Sequence, residues 1–138
     1  MRVLVIEDDP DDRALAARAI CQDFDSADII EIGDDSALEM ALRNPTAPAL
    51  AITDYTLGWT DGFYVFQRVR TVYPQCLVIV FTGVGDETLA VELLKAGVDD
   101  YVVKHGRRRL GEAVREFTSG MRQRLSPSGK WAQAVSGV

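Results

Sequence analysis

The sequence predicts a doubly wound α/β fold, in which a five-stranded parallel sheet is covered by helices on both faces. Short, uniformly apolar runs recur along the chain, and segments with helical spacing of apolar residues separate them. Strands without a polar face are typical of parallel sheets that are buried on both sides. Alternating strands and helices with right-handed crossovers indicate this fold, for which the strand order 2-1-3-4-5 is common.

Residues 50–62 are the most informative stretch of the chain. An apolar run from Leu50 ends on Asp54, and a polar loop with Gly58 and Gly62 follows. The carboxyl end of a parallel strand is where α/β proteins bind ligands, so Asp54 is the first candidate for a functional residue. The other four strands are predicted at residues 2–6, 28–32, 76–81 and 100–103.

Capping residues delimit the predicted helices. The first helix runs to about residue 23, the second is stopped by Asn44-Pro45, and the third lies between residue 63 and Pro74. The fourth helix has Gly97 as the residue that follows its C-terminus. Side chains that favour a helix N-terminus precede three of these segments: Asp9 with Pro10, Asp34 or Asp35, and Asp86.

The fifth helix is predicted at about residues 108–124, which completes a single domain over residues 1–124. Apolar residues on one face mark this helix: Leu110, Ala113, Val114, Phe117 and Met121. Residues 125–138 are rich in Ser and Gly and are predicted to form a flexible C-terminal tail, in which Trp131 is an exposed aromatic residue.

Composition indicates a cytoplasmic globular protein. Of the 138 residues, 47% are hydrophobic and 26% are charged. No apolar run approaches the roughly 20 residues of a membrane span, and the N-terminus turns acidic too early for a signal peptide. Cys21 and Cys76 lack metal-site spacing, so we expect two buried, reduced thiols.

Charge is unevenly distributed along the chain. The net charge is −6, with acidic residues concentrated before Asp61 and basic residues from Lys104 onwards. An acidic molecule with one basic flank argues against general nucleic-acid binding. The basic flank is compatible with an acidic protein partner.

Chemically active side chains follow four of the predicted strands. Because parallel strands end at the same edge of a sheet, this edge collects Glu7-Asp8-Asp9, Asp54, Thr82-Gly83 and Lys104. Clustered carboxylates raise one another's pKa unless a cation is present, and hard oxygen ligands with open positions suit Mg²⁺. A carboxylate nucleophile, a metal, a lysine and a hydroxyl are the parts of a phosphoryl-transfer site, where Gly83 would allow close backbone approach.

Each of these features alone has a simpler interpretation. The acidic run could be only a helix N-terminus, Thr82-Gly83 only a turn, and Lys104 only a solvated strand end. The prediction of a phosphoryl-transfer site therefore depends on their conjunction at the ends of different strands.

At this point the chain resembles the receiver domain of two-component response regulators, over about residues 1–124. The residues that carry the resemblance are Glu7-Asp8-Asp9-Pro10, Asp54 with Asp61-Gly62, Thr82, and the segment from Gly97 to Lys104. The resemblance implies the flavodoxin-like form of the doubly wound fold. It also implies a stand-alone regulator, phosphorylated on Asp54 by a partner histidine kinase or phosphotransfer protein.

The resemblance also assigns roles to individual residues. Mg²⁺ would be held by Asp8, Asp54 and the Thr56 carbonyl, with Glu7 acting through water and Asp9 secondary. Thr82 would move to the phosphoryl group, and the switch aromatic Tyr101 would swing inward. This movement would alter the face of the fourth helix, fifth strand and fifth helix, which is the expected surface for output or a homodimer. The protein would catalyse only its own phosphorylation and dephosphorylation.

Three positions depart from the pattern of the family. His105 stands where a proline joined by a cis bond usually follows the lysine, so the loop is either strained or follows a different path. His105 is also a candidate for a pH-sensitive contact. Gly58 and Trp59 replace a loop proline, and the run Arg107-Arg108-Arg109 places positive charge at a helix N-terminus.

Three rival functions compete with the phosphorylation switch. A pseudo-receiver would bind partners constitutively and never be phosphorylated. The intact set of acids, Thr82 and Lys104 argues against it, and the His105 departure keeps it open. A flavodoxin-like cofactor binder would need a phosphate-binding loop after the first strand, where Glu7-Asp8-Asp9 would repel phosphate. An aspartyl-phosphate hydrolase would need a second acid two residues after the nucleophile, where this chain has Thr56.

Overall fold

The structure of the protein, a computed structural model, describes residues 1–120, in which five strands and five helices alternate. The strands are β1 (Arg2–Ile6), β2 (Asp28–Ile32), β3 (Leu50–Thr53), β4 (Leu77–Thr82) and β5 (Asp100–Val103). The helices are α1 (Pro10–Asp23), α2 (Asp35–Ala41), α3 (Gly62–Val72), α4 (Glu87–Ala96) and α5 (Leu110–Gly120). None of the helices in this part of the chain is long and apolar enough to cross a membrane.

The five strands form one parallel sheet in the order β2-β1-β3-β4-β5, which confirms the predicted topology. The register pairs Ile6 of β1 with Thr53 of β3, and Thr82 of β4 with Val103 of β5. The residues that follow these four strand ends therefore emerge along a single edge of the sheet. This edge is where the sequence analysis expects the site.

Aspartate side chains begin four of the five helices. Asp9, Asp34, Asp61 and Asp86 each accept a hydrogen bond from a backbone N–H in the first turn of α1, α2, α3 and α4. These bonds satisfy donors that a helix N-terminus leaves free. Gly97 follows α4 with φ 116°, a left-handed conformation that favours glycine. The predicted caps and this C-terminal glycine are confirmed.

Helix boundaries differ from the prediction in two places. Helix α2 ends at Ala41, before Asn44, because the segment from Leu42 turns before the proline is reached. Helix α5 begins at Leu110 and not at Arg108, since the three arginines belong to the preceding loop. The predicted end of this helix at residues 121–124, the tail 125–138, Met121 and Trp131 lie outside the described residues.

Two apolar layers bury the sheet on both of its faces. One contains Leu4, Ile6 and Val80 with residues of α2, α3 and α4, and the other contains Val5 and Phe81 with residues of α1 and α5. The predicted apolar face of α5 is buried at Leu110, Ala113, Val114 and Phe117. Burial of this kind is the main source of stability for such a fold.

Three predictions about strands and core residues need small corrections. Strand β4 spans Leu77–Thr82 and not residues 76–81, and β3 ends at Thr53, one residue before Asp54. Cys76 is buried as predicted, but Cys21 is exposed on α1, next to the buried Ile20.

The two thiols are expected to differ in reactivity. Burial raises the pKa of Cys76 to about 12, so that at pH 8 very little of it is thiolate, the form that reacts. We expect iodoacetamide at pH 8 to label the native protein on Cys21 only, as measured by peptide mass spectrometry. The same reaction in 8 M urea serves as a control and should label both cysteines. Rapid labelling of Cys76 in the native protein would contradict the buried placement.

Candidate functional site

Asp54 lies directly after the central strand β3, at the carboxyl edge of the sheet. Its backbone N–H donates to the Ile6 carbonyl at 3.1 Å, which continues the pairing of β3 with β1. The buried Thr53 hydroxyl donates to the Asp54 carbonyl at 2.9 Å. One carboxylate oxygen of Asp54 accepts the Thr56 N–H at 3.2 Å, and the residue is only 8% exposed. Asp54 is therefore held in a fixed orientation at the bottom of a shallow acidic site.

Gly62 holds the loop after Asp54 against the end of β3. Its N–H donates to the Tyr55 carbonyl at 2.7 Å, and a Cβ at this position would lie 2.8 Å from the Asp54 carbonyl oxygen. Real Cβ atoms do not approach an oxygen so closely, so a side chain here would displace the backbone. The Asp61-Gly62 pair thus combines a helix cap with a contact that only glycine permits.

Lys104 brings the separate strand ends together. Its backbone N–H donates to the Thr82 carbonyl at 2.8 Å, which fixes the start of its side chain at the edge of the sheet. Its Nζ lies 2.7 Å from Asp54 Oδ2, 2.8 Å from Glu7 Oε2 and 3.0 Å from Asp12 Oδ2. The Lys104 side chain is only 9% exposed, so these charge-assisted bonds are largely shielded from water.

The two buried carboxylates that contact Lys104 have opposite pKa shifts. Burial, together with the neighbouring Asp54, raises the pKa of Glu7 to about 7 despite its bond with Lys104. Burial also disfavours the charged form of Asp54, but hydrogen bonds from Lys104, Thr82 and Glu7 outweigh it and lower the Asp54 pKa. The same carboxylates raise the pKa of Lys104, against the effect of burial. Asp54 is thus the carboxylate that stays ionised, as a nucleophile requires.

Asp8 and Thr56 lie on the outer side of the site. Asp8 is exposed, and its Oδ2 accepts the Gly58 N–H at 2.8 Å, which ties the β1–α1 loop to the β3–α3 loop. Thr56 is exposed on the same β3–α3 loop. Asp9 caps helix α1, and its Oδ1 accepts the Asp11 N–H at 2.9 Å. Of the predicted metal-site residues, only Glu7 and Asp54 therefore share a direct contact with Lys104.

The donor set has the chemistry that a divalent cation requires. Among residues 1–120, no group of three or more acidic, His or Cys side chains is arranged to hold a metal ion in this conformation. The raised pKa of Glu7 nevertheless indicates that one lysine does not neutralise the surrounding carboxylates. Hard carboxylate oxygens on a site open to water are the ligands that Mg²⁺ prefers. The residues present therefore fit a magnesium ion by their charge and ligand type.

Thr82 and Tyr101 connect the site to the neighbouring surface. The buried Thr82 hydroxyl lies beside Asp54, whose pKa it helps to lower, and it accepts the Val84 N–H at 3.3 Å. The Tyr101 hydroxyl donates to the Val84 carbonyl, and the residue is 1% exposed. The aromatic ring, expected to swing inward on phosphorylation, is thus already inside. Burial raises the pKa of Tyr101 to about 12, so the phenol remains a hydrogen-bond donor at neutral pH.

Gly83 and His105, the secondary candidates, lie outside this network. A Cβ on Gly83 would meet no heavy atom within 4 Å, so the local packing does not require glycine. His105 is exposed on the loop after β5, and no peptide bond of residues 1–120 is cis. Lys104 reaches Asp54 without a proline or a cis bond after it. Of the two alternatives raised by His105, the loop therefore follows a different path and does not contain a strained cis bond.

Two residues that the sequence analysis did not assign to the site contribute to it. Asp12 contacts Lys104 from the first turn of α1, where an acidic side chain also interacts favourably with the helix dipole. Arg13 donates to the Glu7 carbonyl at 2.8 Å, and a Cβ on Gly33 would lie 2.6 Å from its Nη1. The sequence signal for these two residues is their position in a helix that begins at the carboxyl edge of the sheet. Spacing alone does not specify which side chains of that turn face inward.

Comparison with protein families identifies the class of domain. Residues 3–115 match the family model described as the response regulator receiver domain. The chain therefore belongs to the receiver-domain family of two-component signal transduction, as the resemblance predicted. Receiver domains of this family accept a phosphoryl group on an aspartate from sensor histidine kinases and typically use Mg²⁺.

Several characterised proteins contain a similar segment. The chain is 30% identical over 102 residues to the photosynthetic apparatus regulatory protein RegA of Cereibacter sphaeroides, covering 74% of this chain and 53% of RegA. It is 30% identical over 105 residues to the sensor histidine kinase TmoS of Ectopseudomonas mendocina, covering 75% of this chain and 10% of TmoS. The chain thus spans between a tenth and about half of the length of these relatives.

Solved structures support the fold. The signal receiver domain of a DNA-binding response regulator from Colwellia psychrerythraea 34H superposes with a TM-score of 0.75 at 18% identity, covering 89% of this chain and 99% of that one. A CheY-like receiver domain protein from Methanospirillum hungatei JF-1 gives 0.71 at 18% identity, covering 88% and 94%. At this level of identity the likeness concerns the fold, which is the flavodoxin-like arrangement expected.

Replacement of Gly62 should disturb the backbone of Asp54. Since a Cβ would come within 2.8 Å of the Asp54 carbonyl oxygen, Gly62→Ala must shift the backbone of Asp54 or of α3. We expect a loss of about 1–3 kcal/mol in the free energy of unfolding, measured by urea denaturation. Gly83→Ala is the matched control, which should change stability by less than about 0.5 kcal/mol. Equal effects of the two substitutions would contradict the contact at Gly62.

Proposed function

We propose that this chain is a phosphorylation switch whose Asp54 accepts a phosphoryl group from a partner histidine kinase or phosphotransfer protein. The observation that carries the proposal is the contact of Lys104 Nζ with Asp54 at 2.7 Å, beside the hydroxyl of Thr82. A buried but ionised carboxylate next to a fixed cation and a hydroxyl is suited to accept a phosphoryl group. Membership of the receiver-domain family supports the same role.

The transfer exchanges one bond to phosphorus for another. An ionised oxygen of Asp54 attacks the phosphorus of a phosphohistidine, the P–N bond breaks, and the released imidazole of the partner takes up a proton. The three oxygens of the transferred group carry negative charge that needs compensation. Lys104, which neutralises the Asp54 carboxylate beforehand, is positioned to compensate one of them.

A magnesium ion would be held by Asp8, Asp54 and the carbonyl of Thr56, with Glu7 acting through water. When bound, it would neutralise charge on the carboxylates and on the phosphoryl oxygens. The protein's part is to supply these oxygens from two loops that the Gly58–Asp8 hydrogen bond holds together at 2.8 Å. Burial raises the pKa of the neighbouring Glu7 although Lys104 contacts it, so the negative charge of the site is not fully compensated. A further cation is therefore favoured at this place.

The route from Asp54 to the surface runs through three residues. The Thr82 hydroxyl lies beside Asp54 and helps to lower its pKa, the Val84 N–H donates to Thr82, and the Tyr101 hydroxyl donates to the Val84 carbonyl. A phosphoryl group that draws Thr82 closer would therefore act on the β4–α4 loop and on the buried ring. Because this ring is already inside, phosphorylation would stabilise an existing arrangement of the α4–β5–α5 face. Output through this face, as a protein contact or a homodimer, is part of the proposal.

The central experiment is incubation with acetyl phosphate and Mg²⁺, followed by intact-mass spectrometry. We expect one phosphoryl adduct on the wild type and none on Asp54→Asn, because the amide is not a comparable nucleophile. Addition of EDTA should abolish the adduct. Thr56→Asn, a nearby exposed substitution that keeps the Asp54 carboxylate, serves as the matched control and should still be phosphorylated.

Two outcomes would contradict this proposal. An adduct that persists on Asp54→Asn would place the phosphoryl group elsewhere. Absence of any adduct on folded wild type would favour the pseudo-receiver, which binds partners without phosphorylation. The intact arrangement of Lys104, Asp54 and Thr82 supports the phosphorylated alternative.

A basic cleft beside the site is the surface that we assign to the phosphodonor. A cavity of about 710 Å³ lies between α1 and the start of α5, with Lys104 in its lining. Arg18 and Arg109 line it and are exposed, and neither forms an ion pair with another described residue. Leu15, 49% exposed, adds an apolar contact. In a chain of net charge −6, this cleft offers positive charge to an acidic partner helix.

Charge reversal in this cleft should separate docking from chemistry. We expect Arg18→Glu with Arg109→Glu to slow phosphotransfer from a phosphorylated histidine kinase at least tenfold, because like charges would then oppose the acidic partner. Phosphorylation by acetyl phosphate should be unchanged. Arg43→Glu, on the opposite side of the sheet, is the control. A loss with both donors would indicate damage to the site, whereas no loss with the kinase would remove the cleft from the proposal.

A further inference from the structure

The loop between β5 and α5 holds Lys104 at one end and is fixed mainly by one side chain. His105, Gly106, Arg107 and Arg109 are exposed, whereas the Arg108 side chain is only 12% exposed. The backbone hydrogen bonds of the loop lie at its two ends, from Gly106 N–H to the Val103 carbonyl at 3.0 Å and from Ala113 N–H to the Arg109 carbonyl at 3.3 Å. Arg108 is therefore the internal anchor of this segment.

Arg108 connects the loop to both elements that flank it. Its Nη2 donates to Asp100 at the start of β5 and lies 3.5 Å from the Tyr101 carbonyl oxygen. Its Nη1 lies 3.6 Å from Glu116 Oε2 on α5. Asp100 is 3% exposed and also accepts the Tyr101 N–H at 2.8 Å. One guanidinium thus ties the far end of the loop to the strand that carries Lys104.

This arrangement is not explained by stability alone. The Nε and Nη1 atoms of Arg108 are buried without a hydrogen-bond partner among the described residues. Burial raises the pKa of Asp100 even though Arg108 faces it. Buried ion pairs with incomplete hydrogen bonding contribute little net stability, and their best-attested use is to select one arrangement over others.

We infer that Arg108 is a positioning residue for Lys104, because its contacts with Asp100 and Glu116 hold the β5–α5 loop in the one path that keeps Lys104 Nζ on Asp54. The inference rests on the proposed phosphoryl transfer for its functional consequence. Arg107 and Arg109, its exposed neighbours, have no such role. The peptide bonds of this loop are trans and the loop contains no proline, so its backbone would be free to move without the contacts of Arg108.

The first test compares two arginines of the same loop. Initial rates of phosphorylation by acetyl phosphate would be measured by intact mass for Arg108→Ala and for its matched control Arg107→Ala. We expect the rate to fall about tenfold for Arg108→Ala, as for a catalytic group misplaced by less than 1 Å, and to stay unchanged for Arg107→Ala. An unchanged rate for folded Arg108→Ala would overturn the inference.

The second test asks whether Arg108 acts through Lys104. In a Lys104→Ala background, Arg108→Ala should lower the phosphorylation rate less than twofold further, because the group that it positions is gone. An equal tenfold loss in both backgrounds would mean that Arg108 acts independently of Lys104, which would also overturn the inference.

The third test does not depend on phosphorylation. The amides of Lys104 and Gly106 donate to Thr82 and Val103 at 2.8 and 3.0 Å, so their hydrogen exchange reports on the path of the loop. We expect faster exchange at both amides in Arg108→Ala, with partial restoration in Arg108→Lys, which keeps the charge. Unchanged exchange would overturn the positioning role.

The amide measurement also separates the two proposals. Wild type that exchanges as expected but takes up no phosphoryl group would refute the proposed function and leave the loop anchor standing. If Arg108→Ala does not fold, Arg108→Lys takes its place in all three tests. The single ammonium group of lysine cannot reach Asp100 and Glu116 together. The expected phosphorylation rate therefore lies between that of wild type and a tenfold loss, whereas Arg107→Ala remains at the wild-type rate.

Discussion

One ammonium group among three carboxylates is the interaction on which the rest of this site depends. Lys104 Nζ lies within 3.0 Å of oxygens from Glu7, Asp12 and Asp54, which belong to different loops and to the first turn of α1. Without it, the buried acids would repel one another and take up protons. The parallel sheet makes this interaction possible because β1, β3, β4 and β5 all end along one edge.

The two buried carboxylates that contact Lys104 differ in the pKa at which they lose their proton. Asp54 remains ionised because Lys104 and Thr82 favour its charged form, whereas burial leaves Glu7 with a pKa of about 7. The site thereby contains one carboxylate that stays ionised and a neighbour whose charge is not fully compensated. Environment, and not residue type, decides which carboxylate performs which role.

Most of the fold and the core of the site could be predicted from the sequence. Uniformly apolar runs that end on Glu7, Asp54 and Lys104 predict the meeting of these residues, because parallel strands share an edge. The inward turn of Arg108 could not be predicted, since Arg107 and Arg109 are chemically identical neighbours. Only the tertiary contact with Asp100 distinguishes them.

Helix phase accounts for the remaining differences. Cys21 follows the buried Ile20 but lies on the solvent side of α1. A helix can rotate by a fraction of a turn without changing its apolar spacing in the sequence. The direction of Asp12 could not be predicted for the same reason, because it depends on how α1 packs against α5 and β1.

The long separation of the interacting residues along the chain links the site to the folding of the whole domain. Lys104 meets Asp54 across 50 residues and Glu7 across 97. Contacts of such high sequence separation form late and slowly, since the intervening chain must first be ordered. An incomplete chain that still lacks β5 has Asp54 but not its cation. In the proposed function, Asp54 therefore acquires the cation that it needs for phosphoryl transfer only when β5 has docked on the sheet.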